Sequence, residues 1–177
     1  MARVELKDVS LNYHTKTDEV LALKDVNLTV KDQEFVAIVG QSGCGKSTLL
    51  SLVSGLLTPT IGSVTIDEDK VEGTSKRVGY MLQQDYLFEW RTILDNALLG
   101  LEIRKEKTRA AVEEIKDMLK AYGLGGFEHY YPSQLSGGMR QRVALIRTLA
   151  TKPDVLLLDE PFSALDYQNR LSVGEEV

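Results

Sequence analysis

Residues 40–47, Gly40-Gln41-Ser42-Gly43-Cys44-Gly45-Lys46-Ser47, have the spacing of a phosphate-binding loop: a glycine, four residues, then Gly-Lys-Ser. A triphosphate carries several negative charges that must be met without water. Glycines let successive backbone N–H groups turn inward with no Cβ in the way, and a helix starting just behind them adds positive potential. Lys46 would then sit on the β and γ phosphates and the Ser47 hydroxyl would offer oxygen to Mg²⁺, with Thr48 counted among the nucleotide-binding residues. Cys44 lies inside this loop, where it is either a small filler residue or a thiol whose alkylation blocks nucleotide binding and which nucleotide protects.

Two further groups could act on the same ligand. Val155-Leu156-Leu157-Leu158-Asp159-Glu160-Pro161 sets two carboxylates at the end of an apolar run, the edge at which parallel sheets bind ligands. Asp159 would hold Mg²⁺ through water, and Glu160 would polarise an attacking water. An isolated pair of this kind is more often a solvated strand end, but a phosphate loop in the same chain reverses that preference. Leu135-Ser136-Gly137-Gly138-Met139-Arg140-Gln141 is a second glycine-bearing turn before a helix, hence either a plain helix cap or a second anion site.

These groups need a scaffold. Residues 4–13 and 21–30 alternate in part between apolar and polar and are separated by the polar stretch 14–19, which predicts an antiparallel strand pair. Phe35-Val36-Ala37-Ile38-Val39 is continuously apolar and stops at Gly40, which predicts a central parallel strand buried on both faces. A helix over 46–54 follows, with Gly55 and Pro59 at its exit. Strands are expected at 62–67, 77–82 and 155–158, the last also buried, and helices at 93–101, 108–122 and 137–149.

Composition limits the function classes. The chain has 177 residues, 43% apolar and 27% charged, which suits one folded domain. Its 21 basic against 26 acidic residues give a net charge of −5, the wrong sign for a general grip on nucleic acid. A single cysteine points to a reducing, cytoplasmic setting, and no run is long enough to span a bilayer.

The order of phosphate loop, Leu-Ser-Gly-Gly-Met and Leu-Leu-Asp-Glu-Pro resembles the nucleotide-binding subunits of ATP-binding cassette (ABC) transporters, over nearly the whole chain. The resemblance implies an α/β fold: a P-loop NTPase core with a parallel sheet, an N-terminal antiparallel β subdomain and an inserted helical subdomain. Residues 1–177 would form one ATPase domain, about 84–150 containing the helical subdomain with the signature turn. Tyr13 would stack on adenine. Gln83, seven residues before Trp90, would sense Mg²⁺ and the water while its loop meets the membrane partner; Gln84 is the neighbouring competitor. Ser136, Gly137 and Gly138 would close over the γ phosphate held by a second subunit, so that a head-to-tail pair buries two ATP molecules. Ser163-Ala164-Leu165-Asp166 would connect the two sites.

Glu89-Trp90-Arg91-Thr92 and Tyr131-Pro132-Ser133-Gln134 resemble importer subunits, in particular those serving nitrate, sulfonate and taurine. That implies a homodimer or paired ABC subunit under membrane-spanning permease subunits, with a solute-binding protein as indirect partner and no nucleic acid. The place would be cytoplasmic, on the inner face of the membrane.

Three departures stand out. Glu89 occupies a position where proline is more usual, and Gln33 one where glycine is, for which a local backbone adjustment is expected. Family members also continue past Asp166 through a strand bearing a switch histidine, whereas His14 and His129 both precede Asp159. The C-terminal part of the sheet is therefore expected to be missing, leaving an apolar edge on the Val155 side and a chain that is truncated or steadied by a second copy. Loss of one preorganised donor costs about 10²–10³ in rate, so the alternative is a truncated nucleotide-binding module with little turnover.

Overall fold

A computed structural model describes residues 3–14 and 18–161. Contacts divide the chain into two compact units, Met1–Val78 and Gly79–Val177.

The first unit is built on a four-stranded antiparallel sheet. Its strands are β1 (Val4–His14), β2 (Glu19–Val30), β3 (Ile61–Ile66) and β4 (Asp69–Lys70), in the order β2-β1-β3-β4. Register follows the apolar pattern: Val4 faces Val30 and Ile66, and Leu6 faces Leu28 and Val64. A strand as long as β1 would normally keep one parity inward, yet its buried residues change from Val4 and Leu6 to Val9 and Leu11. The change occurs at Asp8, where a bulge interrupts the ladder and the backbone turns left-handed at φ 50°. Asn27 steadies that bulge, accepting from the Asp8 N–H at 2.9 Å and donating to its carboxylate at 3.0 Å. The extra residue keeps both halves of the strand facing the core, where helix α1 (Lys46–Val53) adds Leu49, Leu52 and Val53.

One expectation is corrected in this unit. Residues 35–39 form neither a strand nor a buried layer: Phe35 is 86% and Val39 92% exposed. Apolar content specifies a buried strand only where neighbours supply hydrogen bonds and cover, and this stretch pairs with no strand among the described residues. The turn that leads into it is well defined. Lys31 N–H donates to Glu34 Oε2 at 2.7 Å, and Gln33 takes the left-handed conformation, φ 59°, that a glycine adopts more easily. The expected local adjustment is thus a backbone carrying about 1–2 kcal/mol of steric cost.

Among its described residues the second unit has four α-helices and a two-stranded sheet of β5 (Val78–Met81), whose first residue ends the first unit, and β6 (Val155–Leu158). The helices are α2 (Ile93–Ala97), α3 (Leu99–Arg104), α4 (Arg109–Ala121) and α5 (Gly137–Leu149). The helix expected over 93–101 is broken in name only at Leu98, which keeps right-handed helical dihedrals and bonds to Leu94, and the helical course runs on to Arg104. Helix α4 starts where Thr108 caps Ala111 N–H and ends before Gly123, whose φ is 70°. Its apolar face, Ile115 and Leu119, packs with Ile93, Leu98, Val143 and Ile146 into one core. In β6 only Leu157 is buried, contrary to the expected fully buried run, because β5 is its one ladder neighbour among the described residues.

Candidate nucleotide-binding and hydrolytic site

The phosphate loop of the first unit owes its shape to backbone. Gly43 and Gly45 are left-handed, at φ 80° and 96°. A Cβ on Gly45 would also lie 2.8 Å from Leu23 Cδ2 and 3.0 Å from Ala22 O, so both conformation and space require glycine there. At Gly40 a Cβ would meet Cys44 Sγ at 2.6 Å. Cys44 is exposed, its N–H donating to Gln41 O at 3.3 Å. The Lys46 ammonium folds back over the loop, donating to Gly40 O at 2.9 Å and Gln41 O at 3.0 Å. Gln41 and Ser42 are exposed, and no side chain caps the start of α1, the arrangement of a helix N-terminus that leaves its amides to a ligand. Tyr13 stands at the same place: its hydroxyl lies 3.3 Å from Thr48 Oγ1 on the first turn of α1, one residue beyond Ser47.

In the second unit, Asp159 N–H donates to Met81 O at 3.0 Å, carrying the β5–β6 pairing one residue further and burying the Asp159 side chain. Glu160 follows with a left-handed backbone, φ 50°, which is uncommon for a glutamate and turns its exposed side chain out of the strand. Its Oε2 accepts from Gln83 Nε2 at 3.0 Å. Gln83 and Gln84 both line a cavity of about 440 Å³ with Asp85, Gly137 and Arg140, so it is the bond to Glu160 that distinguishes Gln83.

The signature turn opens α5. Ser136 is its N-cap, accepting from Met139 N–H at 3.3 Å, with Gly137 and Gly138 as the first helical residues. A hydroxyl used as acceptor in this way can still donate, so capping and anion binding are compatible.

Three residues to which the sequence alone gives no role hold the Gln83 loop: Arg140, Arg147 and Asn96. Arg140 donates to both Asp85 oxygens at 3.0 Å and reaches Glu89 Oε1 at 2.8 Å. Burial pushes the Asp85 carboxyl up, but the Arg140 bonds and Leu87 N–H outweigh it and hold it below the usual carboxylate range. The same bonds raise Arg140. Arg147, whose value burial lowers, donates to Asp85 O at 2.6 Å and Tyr86 O at 2.9 Å. Asn96, fully buried, accepts from Phe88 N–H at 2.8 Å and donates to the carbonyls of Phe88, Arg91 and Thr92 at 3.0–3.1 Å. The available signals were the seven-residue spacing of Arg140 and Arg147, which sets both on one face of α5, and an asparagine inside a largely apolar helical stretch.

The family model described as ABC transporter matches residues 23–163. The chain belongs to the ABC transporter family. Similar to this ABC chain are an uncharacterized ABC transporter ATP-binding protein of Bacillus subtilis, 44% identical over 98% of the chain and 66% of the relative, and a nitrate import ATP-binding protein of Synechocystis, 42% identical over 97% and 65%. A taurine import ATP-binding protein of Pelagibacter ubique is 43% identical over 88% of the chain and 58% of its own length. The chain therefore spans 58–66% of the length of these three curated relatives, less than two thirds of each. Among solved structures, a dimeric ATP-binding cassette in a post-hydrolysis state bound to ADP and Pi matches with a TM-score of 0.86 and 36% identity, over 97% of this chain and 80% of that one.

In this ABC chain the phosphate loop and Tyr13 belong to the first unit, and Gln83, Asp159, Glu160 and the signature turn to the second. Ser163 to Asp166 lie outside the described residues. Among the described residues no group of three or more His, Cys, Asp or Glu side chains is placed to hold a metal, and no helix is long and apolar enough to cross a membrane.

Proposed function

We propose that this chain binds and hydrolyses ATP as part of an ABC importer subunit, powering uptake of a small solute of the nitrate, sulfonate or taurine kind. The observation that carries the reading is the Lys46 ammonium, lying over a loop whose glycines are required by conformation and space and whose following helix has no side-chain cap. On triphosphate binding the ammonium exchanges the carbonyls of Gly40 and Gln41 for phosphate oxygens, while the amides of residues 43–48 meet the β and γ phosphates. Tyr13 offers its ring to the adenine. Ser47 and Asp159 are hard oxygen donors of the type Mg²⁺ accepts and, with Gln83, would hold the ion, which would supply neutralisation of phosphate charge.

Glu160 takes a proton from the water that attacks the γ phosphorus as the bond to the β–γ bridging oxygen breaks. Gln83, hydrogen-bonded to that carboxylate, keeps it aimed. The two units then work as one ATPase domain, about 84–150 being its helical part. Ser136, Gly137 and Gly138 of one copy cover the γ phosphate of the other, so ATP joins a head-to-tail pair and hydrolysis releases it. Permease subunits sit on the Gln83 loop and hold the pair at the inner face of the membrane; the solute-binding protein is met only through them. The identity with importer relatives and the ADP- and Pi-bound cassette support this reading.

Calorimetry and phosphate release test it. Lys46→Ala is expected to lose at least about tenfold in ATP affinity, as a charge-assisted contact disappears. Glu160→Gln should keep the affinity and lose about 10²–10⁴ in turnover. Unchanged affinity in the first, or unchanged turnover in the second, overturns the proposal. A second reading, nucleotide binding with little turnover, is favoured by the ladder-free residues 35–39 that lead into the loop. ATP uptake by the wild type with phosphate release at background level would select it.

A further inference from the structure

Three independent contacts fix the loop from Gln83 to Arg91, and one of them comes from the first turn of the signature helix. Arg140 N–H bonds to Ser136 O at 3.0 Å, so the Arg140 backbone moves with the signature turn. Its guanidinium makes a two-pronged bond to Asp85, Nε to Oδ2 and Nη2 to Oδ1, both 3.0 Å, and the same Nη2 reaches Glu89 at 2.8 Å. Such a fork fixes distance and orientation together, which a point charge does not. Two helical turns further, Arg147 takes the carbonyls of Asp85 and Tyr86, and Tyr86 itself is left-handed, at φ 43°. Asn96 holds the far end of the loop through Phe88 and Arg91. Gln83 stands two residues before Asp85 and spends its side-chain amide on Glu160.

We propose that Arg140 is a positioning residue for hydrolysis: through Asp85 and Glu89 it sets the register of the loop that holds the Gln83 amide on Glu160. The inference rests on the ATPase reading above. Glu89 gives it particular weight. A proline at that position has no carboxylate, whereas here the acid supplies the second anchor, so this chain ties its signature turn to the loop with two carboxylates. The signature turn would meet the nucleotide of a second copy, and Arg140 makes any shift of that turn a shift of Asp85 and, two residues away, of Gln83.

The test compares Arg140→Gln, Arg140→Lys and Asp85→Asn with Glu113→Gln, an exposed ion-pair variant on α4, as control. In the nucleotide-free full chain, the side-chain amide NMR signal of Gln83, identified by its absence in Gln83→Ala, is expected to shift in all three loop variants and to stay in place in the control. Turnover is expected to fall about tenfold to a hundredfold, with ATP affinity within about twofold of the wild type, as for a misplaced reacting group. Arg140→Lys keeps the charge but not the fork, and should recover little. Combining Arg140→Gln with Asp85→Asn should cost no more than the worse single change.

An unmoved Gln83 signal in folded Arg140→Lys and Asp85→Asn overturns the inference, as does full turnover in either. A wild type that takes up no ATP sinks the ATPase reading instead, while the amide signal still decides whether Arg140 places Gln83.

Discussion

Two glycine-bearing turns open helices in this molecule, one before α1 and one before α5, and they are held in opposite ways. The first is shaped by backbone: left-handed Gly43 and Gly45, no capping side chain, and a lysine laid over the loop's own carbonyls. The second is capped by Ser136 and tied by Arg140 to a loop that Arg147 and Asn96 also grip. In the proposed reading, a turn that wraps a ligand must be able to exchange bonds to its own carbonyls, as those of Lys46 can be, whereas one that presses against a ligand held elsewhere gains from being rigid beforehand. The two turns also differ in support. The segment leading into the first is uncovered, while α5 lies in a closed core of Ile93, Leu119, Val143 and Ile146.

The largest effect expected from breaking this contrast is at Asn96. Its amide serves four backbone groups in a fully buried setting, so Asn96→Ala leaves several of them without partners. The cost should be about 2–4 kcal/mol, or some 5–15 °C in the midpoint of thermal unfolding. Hydrogen exchange should accelerate at Phe88 N–H, while ATP affinity, which in the proposed reading rests chiefly on the phosphate loop of the other unit, should hold in protein kept below the midpoint. A loss of ATP affinity equal to the loss of stability would show that the two turns are not supported separately.

Why the sequence discloses one turn so much better than the other follows from what each uses. Residue type and spacing are the whole design of the phosphate loop, since Gly43, Gly45 and Lys46 act through φ and charge, and both are legible in a local string. The ion pair of Arg140 with Asp85 joins positions 55 apart, and nothing in either neighbourhood announces the other. The same holds in the scaffold. Alternation in β1 marks it as a strand, but the parity change at Asp8 depends on Asn27 across the ladder. Residues 35–39 show the limit most plainly: five apolar residues state that burial would be favourable, and only neighbouring strands can provide it.

A smaller effect separates the units by pH. Asp85 is held low by Arg140 and Leu87 against the opposing effect of burial, so the folded state binds its proton later than the unfolded chain does. Its contribution to stability is therefore complete above the ordinary aspartate value, about 3.9, and is lost as pH falls through the depressed folded value. The stability gap between wild type and Asp85→Asn should be widest near neutrality and close below about pH 4, measured by urea unfolding across that range. Asp67 of the first unit, held low by Arg77 and by Arg3 N–H, titrates in the same sense but lies at the surface, where solvent screens it. Asp67→Asn should change the acid limb less.

The smallest effect on stability is expected where the sequence looks most hydrophobic. Phe35 is almost wholly exposed, so Phe35→Ser removes little buried area and should change the unfolding free energy by no more than about 0.5 kcal/mol. Its consequence lies in association. An exposed apolar stretch with no strand neighbour among the described residues is a candidate for pairing with another chain, and a polar side chain at its start weakens that tendency. Light scattering of the variant should therefore show less concentration-dependent association than the wild type, at equal stability. A destabilisation of 2 kcal/mol or more, on the order of a core truncation, would mean that Phe35 is covered in solution and that the phosphate loop is as firmly backed as the signature turn.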